Sequence, residues 1–169
     1  VSPKSSGGAW PWLVVAVAVV ALSKPAAEAI NPSGGAASGS SAHGIPADYY
    51  ALYQSAPKCK GLDWASLAAI GYVETNHGQS KLPGVHSGAN FAGAKGPMQF
   101  LQPTWDGVRK RHPDVGPSIY DPRNAIPAAA HKLCDDGAST GQLQKAIFSY
   151  NHSSEYVNDV LGKAKEYRS

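Results

Sequence analysis

The sequence predicts a mainly α-helical domain over residues 45–169, with at most a short β-excursion. Three observations carry this reading. Apolar residues recur there at three- and four-residue spacing. Pro, Gly, Asp and Asn stand where helices would start and stop. No run of alternating apolar and polar residues long enough for a convincing strand lies between them. The one stretch able to hold a short β-excursion is residues 82–94.

Pro46 suits a first helical turn, Tyr49, Leu52 and Tyr53 share the face that follows, and Pro57 ends the segment. Asp63 is an N-cap for the next helix, whose buried side is expected to carry Trp64, Leu67, Ala68, Ile70 and Gly71, with Gly78 as its stop. Residues 81–95 read as a long loop, and Gly96-Pro97-Met98-Gln99-Phe100 follows it. Pro103 and Thr104 open a helix with Trp105 and Val108 inward. Its basic end, Arg109-Lys110-Arg111-His112, reads as a solvated face. Asp121 and Pro122 turn the chain into a helix carrying Ile126, Ala129, Ala130, Leu133 and Cys134, which Gly137 stops. Leu143, Ala146, Ile147 and Tyr150 form another buried face. Asn151-His152-Ser153-Ser154 breaks it before a last helix with Tyr156, Val157, Val160, Leu161 and Ala164 inward.

The 169 residues suffice for one domain with a real core plus a tail. A net charge of +3 is too weak to argue for nucleic acid; it suits an anionic polymer or plain solubility. Lys4 precedes a thirteen-residue apolar run, residues 10–22. As a helix that run would reach about 20 Å, short of the roughly 30 Å hydrocarbon core. A basic flank, a short apolar run and Ala27-Glu28-Ala29 fit a signal peptide over residues 1–29, cleaved after Ala29; the competing reading is a short membrane anchor. Both place the domain outside the cytoplasm. Residues 30–44, rich in Gly, Ser, Ala and Pro, read as a flexible linker.

Candidate chemistry centres on Gly71-Tyr72-Val73-Glu74-Thr75-Asn76-His77-Gly78. Glu74 falls near a helix C-terminus, where the helix dipole and partial burial both disfavour an ionised carboxylate. A raised pKa is what a general acid at neutral pH needs. The competing reading is an ordinary surface glutamate. Asp63, Asp121 and Asp135 read as caps or turn residues, and Asp48, Asp106, Asp114, Asp136, Glu155 and Asp159 as exposed. The six histidines show neither H-x-x-x-H nor H-E-x-x-H spacing, so no metal and no cofactor is expected. Nothing resembles a Ser-His-Asp or Cys-His nucleophile setting. Cys59 and Cys134 do not form a C-x-x-C motif; in an exported chain they are expected to bridge, with two free thiols as the alternative.

Four motifs stand in order: Val73-Glu74-Thr75, Gly96-Pro97-Met98-Gln99-Phe100 with Pro103-Thr104-Trp105 beside it, Ser149-Tyr150-Asn151, and Tyr156-Val157. Together they resemble the lytic transglycosylases of the goose-lysozyme-like superfamily, most closely the membrane-bound lytic murein transglycosylase B branch, over nearly all of residues 45–167. Two positions depart from that pattern: Thr75 stands where the family has Ser, and Ser149 where it has Ala. The resemblance implies a lysozyme-like helical fold with a catalytic cleft. It also implies a single catalytic carboxyl, Glu74, cutting the MurNAc–GlcNAc bond of bacterial peptidoglycan with formation of a 1,6-anhydro end. It assigns ligand contacts to Thr75, Gly96, Met98, Gln99, Tyr150, Asn151 and Tyr156. Met98 is equally suited to filling a core gap, and Tyr150 and Tyr156 to core packing. The domain is similar, too, to modules that accompany cell-wall peptidases in actinobacterial conjugation and secretion proteins. That makes envelope-spanning machinery a candidate partner of what is expected to be a monomer. A lysozyme-type hydrolase and an inactive glycan-binding module are the competing functions.

Overall fold

The computed structural model describes residues 43–169. The signal-or-anchor segment and the linker up to residue 42 lie outside the described residues. Six α-helices follow in order: α1 (Ala47–Ser55), α2 (Trp64–Thr75), α3 (Gln102–Arg111), α4 (Pro122–Asp135), α5 (Leu143–Asn151) and α6 (Ser154–Arg168). A two-stranded antiparallel hairpin, β1 (Ala94–Lys95) and β2 (Phe100–Leu101), precedes α3, and a 3₁₀ turn (Ala138–Thr140) links α4 to α5. The domain is mainly helical, as expected for a lysozyme-like fold.

The centre of the fold is α2. Its apolar stripe was expected on one side only, but every residue from Ala65 to Gly71 is buried. A helix that is apolar all round has to be enclosed by its neighbours, and α2 packs along α6 and also meets α1 and α4. The Asp63 carboxylate caps it by accepting from Ser66 N–H at 2.9 Å. Arg168, at the end of α6, donates to the same carboxylate at 2.7 and 2.9 Å and to Ser66 Oγ at 2.8 Å. One aspartate therefore both starts the central helix and fastens the last one across it.

Several expectations change. The central helix ends at Thr75, three residues before Gly78, because Asn76 already takes a left-handed conformation (φ 49°) and so do His77 and Gly78. The β-pairing begins only at the last residue of the 82–94 stretch and runs beyond it: Ala94 faces Leu101 and Lys95 faces Phe100, around the residues between them. The basic run is not merely solvated, since Arg111 and His112 both donate to or share a proton with Asp135, each at 3.0 Å. Asp135 thus joins α3 to α4 rather than capping a helix. Asp136, expected to be exposed, is half-buried against Lys132 and Ser149.

Cys59 and Cys134 form a disulfide, with Cα atoms 6.0 Å apart and a sequence separation of 75. It ties the loop after α1 to the end of α4. Closing a loop of that length restricts the unfolded chain by about 4 kcal/mol in the chain-entropy account. The Cys59→Ala/Cys134→Ala double variant is expected to fold with a stability lower by about that amount, read by urea denaturation at equal pH.

Candidate active site

Glu74 occupies the penultimate position of α2. The turn after it is fixed from two sides. Thr75 is 2% exposed; its hydroxyl donates to the Pro97 carbonyl at 2.7 Å and accepts from Gly78 N–H at 2.9 Å. His77 is also buried, its Nδ1 3.0 Å from the Tyr53 hydroxyl of α1 and its Nε2 2.9 Å from the Tyr167 hydroxyl of α6. Burial, with the nearby Lys163 charge, lowers the His77 pKa to about 4. The ring is therefore neutral at pH 7, one nitrogen donating and the other accepting. The end of α2 is thus pinned to α1, to α6 and to the hairpin.

The Gly96-Pro97-Met98-Gln99-Phe100 segment is the hairpin turn. Gln99 N–H donates to the Gly96 carbonyl at 3.1 Å, closing the turn around Pro97 and Met98. Gly96 (φ 77°) is required there: a Cβ would lie 1.9 Å from the Ile119 carbonyl oxygen. Its glycine serves a close approach to the protein's own backbone, where a ligand was expected. Met98 is fully buried and belongs to the core, so its thioether does not line a surface; packing has won over the expected ligand contact. Gln99, half-buried at φ 49°, donates from Nε2 to the Gly96 carbonyl at 2.8 Å and accepts at Oε1 from Asn90 at 3.0 Å. Asn90 Oδ1 in turn accepts from Ala92 and Ala94 N–H, so the long loop is organised around it.

The remaining residues come from the corner between α5 and α6. Tyr150 donates its hydroxyl to the Met98 carbonyl at 2.9 Å, joining α5 to the hairpin turn. Asn151 ends α5 and is half-buried, and its buried Oδ1 has no protein partner among the described residues. His152 turns left-handed and Ser153 caps α6, accepting from Tyr156 N–H at 3.2 Å. Tyr156 then lies one turn inside α6, 4% exposed, and donates its hydroxyl to Glu74 Oε1 at 2.6 Å. The Tyr150 and Tyr156 rings are nearly parallel, with centroids 6.5 Å apart. Ser149 donates to Asp136 at 2.9 Å, on the side of Lys132.

Burial raises the Glu74 pKa from its ordinary 4.5 to about 7, against the lowering effect of the Tyr156 bond. Among the described residues no second carboxylate contributes to that shift. Oε1 is held by Tyr156, and no protein donor among the described residues reaches Oε2. Burial and the Glu74 charge push both tyrosines well above 10, so they remain hydroxyl donors. The arrangement presents one carboxyl group, close to half protonated at neutral pH, with one oxygen fixed and the other open.

The transglycosylase SLT domain family matches residues 51–169, which includes all of these residues. The chain belongs to the transglycosylase SLT domain family. No curated protein and no solved structure matches it. Membership of the SLT family implies lytic transglycosylase-type cleavage of glycosidic bonds in peptidoglycan, and hence action outside the cytoplasm; the disulfide is consistent with that compartment.

Sequence reasoning did not foresee three contacts around Glu74. His77 reads as part of the helix end, yet it lies beyond α2 and anchors that end through two tyrosines 24 and 90 residues away. Asn90 and the Pro97 carbonyl act through bonds that linear spacing does not reveal. The one available signal was a run of non-glycine residues, Asn76 and His77, immediately before Gly78.

Two outcomes follow from the electrostatics. Between about pH 4.5 and about pH 7 the folded chain binds more protons at Glu74 than the unfolded chain, so stability falls as pH rises through that window. Glu74→Gln is expected to be as stable as the wild type at pH 4 and more stable at pH 8, by at most about 3 kcal/mol, as measured by urea denaturation at the two pH values. Tyr156→Phe removes the one bond among the described residues that favours the ionised form. It is expected to raise the Glu74 pKa by about one unit, measured by carboxyl-carbon NMR titration.

Proposed function

We propose that this chain is a peptidoglycan lytic transglycosylase of the membrane-bound lytic murein transglycosylase B-like branch, with Glu74 as its single acid and base. The observation that carries this reading is the Glu74 carboxyl itself: raised to about 7, bound at one oxygen by Tyr156, and perturbed by no second carboxylate among the described residues. Hydrolytic glycosidases ordinarily need two carboxyl groups, one to protonate the leaving oxygen and one to activate water or attack the sugar. A reaction whose nucleophile belongs to the substrate needs only one.

Protonated Glu74 gives its proton from Oε2 to the glycosidic oxygen between N-acetylmuramic acid and N-acetylglucosamine. The C1–O bond breaks through an oxocarbenium-like state, and the N-acetylglucosamine end leaves as an alcohol. Glu74, now a carboxylate, takes the proton from the muramic C6 hydroxyl as O6 bonds to C1, giving a 1,6-anhydro end. The proton is returned to Glu74 and no water is consumed. Tethering of the C6 hydroxyl substitutes for an activated water, since intramolecular attack removes much of the entropic cost of encounter. A pKa about equal to the working pH lets the same group act in both directions.

Tyr156 holds the carboxyl and stabilises its anion between the two transfers. Gln99, Tyr150 and Asn151 line the sugar path. Thr75, Gly96 and Met98 contribute by shaping the turn, their groups being engaged within the protein. The chain acts in the cell envelope as an exported or membrane-anchored monomer. There it opens the wall locally for remodelling or for the passage of secretion or conjugation machinery.

Digestion of purified peptidoglycan followed by mass analysis of the products tests this. Anhydro-muropeptides are expected, and Glu74→Gln is expected to reduce their release by at least about a thousandfold while remaining folded. Reducing-end products would identify a hydrolase instead, and unchanged release by the folded variant would remove Glu74 from the chemistry.

A further inference from the structure

The corner between α3 and α4 assembles a second cluster, well away from Glu74. His112 caps the C-terminus of α3, Asp114 lies in the loop after it, and His131 projects from α4. One ligating atom of each lies within 4.8 Å of the other two. The two imidazoles are stacked almost in parallel, with centroids 3.9 Å apart. Each ring is oriented by its own carboxylate: His131 Nε2 lies 3.1 Å from Asp114 Oδ2, and His112 Nε2 lies 3.0 Å from Asp135 Oδ2. Asp135 also accepts from Arg111 Nε at 3.0 Å.

We propose that His112, Asp114 and His131 form a structural binding site for a zinc-class divalent ion. Two imidazole nitrogens and one carboxylate oxygen are the donor set that such an ion takes, at bond lengths of about 2.0–2.2 Å. Those lengths place ligand atoms roughly 3.3 Å apart around a tetrahedral centre. The groups start within 4.8 Å of one another, so side-chain rotation at the surface closes the difference. Both histidines are half-buried and Asp114 is exposed, so an ion has access and three protein ligands leave a fourth position for water. Asp135 fits the outer role, a carboxylate behind the imidazole that fixes its orientation. The histidines are 19 positions apart in sequence, which is why spacing along the chain predicted no metal here.

The site joins the far end of α3 to α4. The near end of α3 follows directly from β2 and the hairpin turn, about 15 Å away along ten residues of helix. The ion therefore takes no part in the glycosidic chemistry. Like the disulfide at Cys134 one turn further along, it holds α4 in place, here against the helix that carries the hairpin.

Zinc titrated calorimetrically into the chelator-treated full chain tests the proposal, with cobalt(II) absorption as the report of coordination. One equivalent is expected to bind, with visible bands of a four-coordinate cobalt site. The melting temperature is expected to rise by about 4 °C or more at a hundredfold excess over Kd and to return on adding chelator. His112→Ala, Asp114→Ala and His131→Ala should each weaken binding at least tenfold, and Asp135→Asn by about tenfold or more. His86→Ala, in a separate loop, should leave it unchanged. Circular dichroism without metal confirms the folding of each variant. Absence of binding to the folded wild type at about 100 µM zinc overturns the proposal, as does undiminished binding by the folded His112→Ala and His131→Ala variants.

Discussion

The contact on which this domain is organised is the 2.6 Å hydrogen bond from Tyr156 to Glu74. It joins the two helices that form the centre of the fold, and it does so at the point where α2 carries its one charged residue. Placing a carboxyl among apolar neighbours disfavours its ionised form, and that penalty is visible in a pKa near 7. The tyrosine offsets part of the penalty without removing it. A stronger donor, such as an arginine, would lower the pKa toward the ordinary carboxylate range and leave no proton to give at neutral pH. An apolar partner would leave the anion harder to form after the proton had gone, by about one pKa unit. A phenol lies between these limits.

Such a bond is useful only if the carboxyl cannot move away from it, and the surroundings of α2 supply the constraint. Three hydrogen-bonding groups follow Glu74 within three residues, and each leads to a different element. Thr75 reaches the hairpin turn through Pro97. His77 reaches α1 and α6 through Tyr53 and Tyr167. Because His77 stays neutral, it joins the two tyrosines without adding a charge beside Glu74. Tyr150 closes the circuit by donating to Met98 in the same turn. The hairpin, the end of α2 and the α5–α6 corner are thereby fixed together by bonds between groups that are largely withdrawn from water, where they are hardest to exchange for solvent.

Features set by local chemistry were legible in the sequence. Asp63 and Asp121 cap helices where their side chains could be read to do so, Trp105 and Val108 are inward, and Glu74 lies near a helix end. What was not legible depends on distant partners. Gly96 looks like a site for close ligand approach until the Ile119 backbone is found against it, and Met98 looks like a lining residue until the core closes over it. Thr75 carries a hydroxyl suited to an acid or a sugar, but a carbonyl 22 residues away has engaged it. The hairpin eluded periodicity because two-residue strands have no period to show. The stacked histidines eluded it because a loop and a helix, rather than one helix face, bring them together.

Thr75 stands where the sequence resemblance leads one to expect serine, and its surroundings give that difference a physical reading. Serine and threonine offer the same hydroxyl, but the extra methyl group of threonine restricts rotation about χ1. At Thr75 the hydroxyl must donate to Pro97 and accept from Gly78 at once, which fixes one rotamer. The β-branched side chain favours few rotamers beforehand, so less side-chain entropy is lost in holding that one. The position is 2% exposed, so the methyl group is enclosed by protein and not presented to a ligand. Thr75 joins the helix to the hairpin, and the bond between Tyr156 and the Glu74 carboxyl is made separately from it. A departure from the family pattern directly beside the catalytic candidate is therefore compatible with an intact site, because the residue acts on the scaffold.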